Sequence, residues 1–172
     1  MTAVVLGSTV MNASATHQVV RDPNDTRGKL DIRRVKIGGQ RANRWQITTD
    51  RGWSVRGIFD RGYFLVHFDT FGDDDYDYYV LLRSDRRHMQ GSLWRDRQRS
   101  RDELIGTADV RRPNRRTVKA TVPMRKMRFP EAAVNYRWHA RTLFIRKGCL
   151  KKVCIDRAPN RGAVLEPLVP TA

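Results

Sequence analysis

The sequence predicts an all-β fold: a single antiparallel β-sandwich or jelly-roll-like domain of about 8–10 strands with little helix. Three observations predict it. Apolar and polar residues alternate over short runs, as strands with one buried face require. Turn-forming residues interrupt these runs at close spacing. No long stretch carries the apolar period of a helix. The same signals suit a barrel, which is the alternative architecture.

The elements follow in order. Leu30-Asp31-Ile32 alternates, and Val35-Lys36-Ile37 alternates in the opposite phase, so a bulge is expected near Arg33-Arg34. Trp45-Gln46-Ile47-Thr48 is the next strand, and Trp53-Ser54-Val55-Arg56 reads as a strand or a crossing loop. Tyr63 to Asp69 is nearly continuously apolar, which predicts a central strand covered on both faces. Tyr76 to Leu82 is expected to pair with it after an acidic tip at Asp73-Asp74-Asp75. Met89–Arg95, Leu104–Val110 and Thr117–Val122 continue the series. In Asn135 to Arg141, Tyr136, Trp138 and Ala140 share one face, while Asn135, Arg137, His139 and Arg141 share the other. The only helical turn expected lies at Pro130-Glu131-Ala132-Ala133.

A chain of 172 residues suits one domain. Residues 1–21 read as a truncated signal peptide or disordered leader: a short apolar stretch precedes Ala13-Ser14-Ala15, an A-x-A cleavage pattern, but no basic residues precede it. The β domain is expected over 22–160, with a loose C-terminal tail over 161–172. No run of apolar residues is long enough for a membrane-spanning helix.

The formal net charge is +16, and it is uneven. Residues 1–82 hold 11 Lys and Arg against 10 Asp and Glu; residues 83–172 hold 23 against 8. Such a field attracts polyanions: nucleic acid, anionic cell-wall polymer, acidic polysaccharide or anionic lipid headgroups. Codon bias toward arginine is the bland reading of the same count. The expected contacts are Arg111, Arg112, Arg115 and Arg116 around a turn, Arg137 and Arg141 on one strand face, and Trp94 as a stacking platform. No helix-turn-helix, zinc-finger or RNA-binding aromatic signature is present, which argues against specific nucleic-acid readout.

Cys149 and Cys154 are separated by a short loop that a hairpin would close, which predicts a disulfide and an oxidising compartment, hence a secreted or cell-surface protein. The Asp22-Pro23-Asn24-Asp25 segment offers the oxygen ligands calcium takes, and a site joining Asp22, Asn24 and Asp25 to Asp69 is a candidate. An EF-hand is excluded, because Arg27 and Arg33 occupy the positions of its glycine and bidentate glutamate. Asx turns leading into the first strand are the competing explanation. No nucleophile elbow, zinc-protease motif or Gly-rich phosphate loop occurs, so no catalytic residue is assigned.

Asp22-Pro23-Asn24-Asp25-Thr26 through Leu30-Asp31-Ile32, then Gly62 through Thr70, then Tyr136-x-Trp138, Cys149, Cys154 and Asp156 through Asn160 together resemble uncharacterised exported bacterial β-sandwich domains. In outline the pattern is also similar to DOMON-like and family-nine-like carbohydrate-binding sandwiches. That wider resemblance implies ligand binding, sometimes with calcium. The expected function is a non-catalytic exported module with a basic face for cell-wall polymer or acidic polysaccharide. The alternatives are an intracellular nucleic-acid-associated protein and a small hydrolase with an unrecognised site.

Overall fold

The structure, a computed structural model, describes residues 18–38, 43–147, 149 and 152–168. Among these residues, eleven antiparallel strands join into one sheet nearly closed into a barrel. They are β1 (Val19–Arg21), β2 (Ile32–Gly38), β3 (Arg44–Thr49), β4 (Gly62–Asp69), β5 (Tyr78–Ser84), β6 (Met89–Arg95), β7 (Glu103–Asn114), β8 (Thr117–Thr121), β9 (Asn135–Ile145), β10 (Val153–Ala158) and β11 (Val164–Pro167). The order is β1-β2-β3-β8-β7-β6-β5-β4-β9-β10, with β11 also on β9. The short helix α1 (Val55–Ile58) carries the chain from β3 to β4.

Most strands form where alternation predicts them. The phase change in β2 is resolved by the expected bulge, between Ile32 and Arg34. The twelve-residue β7 pairs with β6 through its first half and with β8 through its second, so it joins the two sides of the sheet. β9 pairs with β4 along one edge; β10 and β11 share the other.

The near-closure is made by side chains. β1 covers Arg34–Lys36 on the free edge of β2. Beyond that cover, the Ile32 N–H donates to the Asp156 carboxylate of β10, and the Thr142 hydroxyl donates to the Leu30 carbonyl at 2.6 Å. β2 and β10 therefore meet at a seam that carries no strand ladder.

The core lies between the sheet walls. Trp45 and Trp138 meet edge to face at 4.7 Å, with Phe68 against Trp45 at 5.4 Å. Phe64, Val66, Val80, Leu82, Leu93 and Val118 complete it, each worth about 1.5–3 kcal/mol on burial. Glu166 of β11 is buried opposite Tyr136, and burial pushes its pKa up to about 7.

Several expectations need correction. The 1–21 leader loses its end to the fold: Val19–Arg21 is a strand, too short to alternate visibly. Ala13-Ser14-Ala15 lies outside the described residues. The tail expected over 161–172 contains β11, so the domain runs past residue 160 to at least Leu168, whose N–H bonds to Val134 O at 2.9 Å. Pro130–Ala133 is a turn; the helix lies at 55–58, with a 3-10 turn at Met124–Lys126. β4 buries Phe64, Val66 and Phe68 inward, while Tyr63, Leu65 and His67 on its outer face are half-buried.

Candidate anion-binding end

The crossing between β3 and β4 shapes one end of the barrel. Trp53 anchors it: its backbone N–H donates to the Arg115 carbonyl at 2.8 Å, and its ring packs on Phe64 at 5.1 Å. The Ser54 hydroxyl caps α1, accepting from Gly57 N–H at 3.0 Å. Ile58 is fully buried, and Gly62 runs beneath it so closely that a Cβ would fall 2.8 Å from Ile58 Cβ. The helix is thus clamped down, and Arg56 and Arg61 are left exposed around it.

Three adjoining hollows surround this crossing. The first, about 700 Å³, is lined by Arg56, Gly57, Phe59, Arg61, Arg86 and Arg87. The second, about 770 Å³, shares Gly57 and Arg61 with it and adds Lys29, Phe144, Ile145, Arg146, Lys147 and Lys152. The third shares Arg146 and Lys147 with the second and adds Arg27, Arg51 and Cys149. Among the described residues, ten cationic side chains line the three, and no Asp or Glu does. Some are held in place: Arg86 lies 4.5 Å over the Phe59 ring, and Arg51 Nη1 donates to the Arg27 carbonyl at 3.0 Å. The Cys149–Cys154 disulfide closes the β9–β10 hairpin that carries Arg146, Lys147 and Lys152 to this end. Like charges gathered without counter-charge repel one another, and an anion relieves the repulsion. Arg guanidinium groups also bind phosphate, sulfate and carboxylate bidentately.

The contacts expected from sequence are divided between separate surfaces. Arg111 lies on the outer face of β7, in a register row with Lys119, Gln46 and Lys36. That row lines a groove with Arg44 and Arg112, but Asp109 sits 3.4 Å from Arg111. Arg112 is engaged internally, 4.5 Å over the Trp53 ring and donating to the Trp53 carbonyl. Arg115 and Arg116 are exposed at the β7–β8 turn.

Arg137, Arg141 and Trp94 face outward on the other side of the sheet. The β7 and β9 strands are four positions apart in the strand order, about 19 Å across the sheet. Arg137 is neutralised by Asp69 and Asp74, so the acidic tip docks on it. Arg141 is half-buried beside a stacked pair of imidazoles, His67 and His139. Trp94 lies parallel to Tyr79 at 6.3 Å and donates to the Ser92 hydroxyl at 2.7 Å. The row of free arginines expected on β9 is therefore not formed.

The acidic set is also rearranged. Asp69 does not join Asp22: it accepts from Gly72 and Asp74 N–H groups in the β4–β5 loop. Its β9 partner is Arg137, five residues from the Thr142 that pairs with Asp156, roughly 17 Å along the strand. Asn24 is exposed. Asp22 and Asp25 instead meet Asp156, with one ligand oxygen from each within 4.8 Å of the others. Burial, then the neighbouring carboxylates, raises Asp22 to about 7. Asp31 rises to about 6, again chiefly through burial.

Sequence reasoning did not assemble the cationic end. Half of its side chains, Arg27, Lys29, Arg51, Arg56 and Arg61, come from the half of the chain whose charges nearly cancel. Only the fold brings them to Arg86, Arg87 and the β9–β10 hairpin. No helix among the described residues is long and apolar enough to cross a membrane. The chain matches no family model, no curated protein and no solved structure.

Proposed function

We propose that this protein is an exported, non-catalytic binding module that holds an anionic polymer, a cell-wall polymer or acidic polysaccharide, across the cationic end of its barrel. The observation that carries the reading is that three hollows share lining residues and, among the described residues, are lined by ten Lys and Arg side chains and no carboxylate. A small anion would need one such hollow; a chain of hollows suits an extended ligand. The disulfide supports export, since such bonds persist in oxidising compartments. The way β7 turns between the two sides of the sheet supports a jelly-roll-like description of the scaffold. The exposed row of Lys36, Lys119 and Arg111 offers a secondary contact surface.

The test is a combined charge reversal, Arg56→Glu, Arg61→Glu, Arg87→Glu and Arg146→Glu, all at exposed positions. Binding to heparin, as an acidic polysaccharide probe, is expected to weaken about 100-fold or more at fixed salt. The thermal midpoint should stay within a few degrees. Arg111→Glu is expected to weaken binding only about twofold. Equal affinity of the quadruple variant and the parent would overturn the proposal.

A further inference from the structure

At the seam between β2 and β10, near-closure of the barrel depends on a carboxylate, and that carboxylate does not stand alone. Asp156 is buried, with Ile32 and Arg157 N–H groups donating to it. Asp22 and Asp25, from the β1–β2 loop, each bring an oxygen to it, and the three oxygens lie within 4.8 Å of one another. Asp31 packs beside them; one oxygen accepts from Thr26 N–H at 3.2 Å. Asp25, the exposed member, is oriented by Asn160 Nδ2 at 2.9 Å.

Clustered acids alone would be unremarkable at a surface, but these are shut away. Asp31 is 0% exposed and Asp22 9%. Asp22 Oδ2 and Asp31 Oδ2 are shielded from solvent and have no hydrogen-bond partner among the described residues. The charged neighbours that act on Asp22 are all carboxylates: Asp156, Asp25, Asp31 and Asp50. No Lys or Arg bridges to any of the four clustered acids among the described residues. Buried, unpaired oxygens of one sign are strongly unfavourable unless they are protonated or hold a cation.

We infer that Asp22, Asp25, Asp31 and Asp156 form a calcium site that fastens the β1–β2 loop to β10 and closes the barrel seam. The spacing suits the ion. Calcium holds oxygens at 2.3–2.6 Å, so opposed ligands stand roughly 4.6–5.2 Å apart. The oxygens' separations, all within 4.8 Å, fit inside that span, and magnesium, which keeps several waters and takes one or two carboxylates, suits a cage of carboxylates less well. The ligands are all hard oxygens, and Asp25 at the surface gives the ion a way in. The site is independent of the polymer-binding reading, and its test uses no polymer.

The experiment titrates the chelator-treated full chain with calcium chloride by calorimetry, with magnesium chloride as the competing probe, and follows thermal unfolding with and without calcium. One calcium per chain is expected to bind, with magnesium about tenfold weaker or worse. Saturating calcium should raise the unfolding midpoint by about 5 °C or more. Asp22→Asn separates loss of the site from loss of the fold. In chelator it should unfold at or above the parent's midpoint, because it removes a buried charge. Calcium binding should weaken about tenfold or more, and the calcium-dependent shift should shrink to match. An unshifted midpoint and absent heat in the parent would overturn the inference. So would an Asp22→Asn variant that binds calcium as the parent does.

Discussion

Trp138→Ala is expected to lower the stability of the domain by about 3–5 kcal/mol, the range for deleting a buried large aromatic. Trp138 is fully buried within β9, opposite Phe68 of β4 and Val164 of β11. Its ring meets Trp45 at 4.7 Å, and Trp45 belongs to β3 on the other side of the sheet. The contact therefore ties the two sides together, and its loss leaves a cavity that neither side can fill without moving. Domains of this size carry a net stability of about 5–15 kcal/mol. The thermal midpoint is then expected to drop by about 10 °C or more. Trp138→Phe should cost distinctly less, since it keeps part of the ring. Urea denaturation of the two variants checks this; a loss under about 1 kcal/mol for Trp138→Ala would mean that the two sides are not coupled through this pair.

Acid is expected to destabilise the protein through a second pair of rings. His67 and His139 face each other across the β4–β9 pairing and stack at 4.7 Å with 9° between planes. Tyr76 stands edge-on to His139 at 4.5 Å. Burial, assisted by the Arg141 and Arg157 charges, lowers His67 to about 4. Burial, with His67 and the same two arginines, lowers His139 to about 3. The unfolded chain takes up these protons near pH 6.5, and the folded chain refuses them until well below that. Each imidazole's contribution is therefore intact above pH 6.5 and is lost as pH falls toward its folded value. The slope is about 1.4 kcal/mol per pH unit for each imidazole. His139→Phe removes one of the two titrations and keeps a flat ring in the stack. Relative to the parent, the variant should gain stability progressively as pH drops from 6.5 toward 3. A difference that does not change with pH would show that His139 titrates normally in the fold.

The strands that alternate over five or more residues were legible, because burying one face of a sheet leaves a period of two in the sequence. The bulge in β2 was legible for the same reason, as a phase change. The disulfide followed from two cysteines and a short loop. β1 and β11, at three and four residues, are too short to show a period, and their pairing with β2 and β9 decides them. The helix Val-Arg-Gly-Ile contains a β-branched residue at each end and a glycine, so intrinsic propensity argues against it. Ser54 and the packing of Ile58 override that preference.

The sites were less legible than the fold. Asp22 and Asp25 could be marked as calcium ligands from their loop, but their partner is Asp156, which follows the second cysteine closely and is distant in sequence. Asp69, at the end of a strand, offered the same chemistry and lies elsewhere. Arginine count located the charge in the second half of the chain, and the fold instead draws five cations from the first half to one end. Residue type announces what a group can do; which groups meet depends on strand register and crossings, which one sequence does not contain.

The most direct test of the central claim is binding of the purified domain to an acidic cell-wall polysaccharide and to duplex DNA across a salt series from about 50 to 200 mM. The cationic end predicts that both bind at low salt, with log affinity falling linearly against log salt as counterions are released. It further predicts that only the polysaccharide remains bound at physiological salt, where its anionic groups occupy the joined hollows. Failure of both polymers to bind at 50 mM salt, or binding indifferent to salt, would contradict the account.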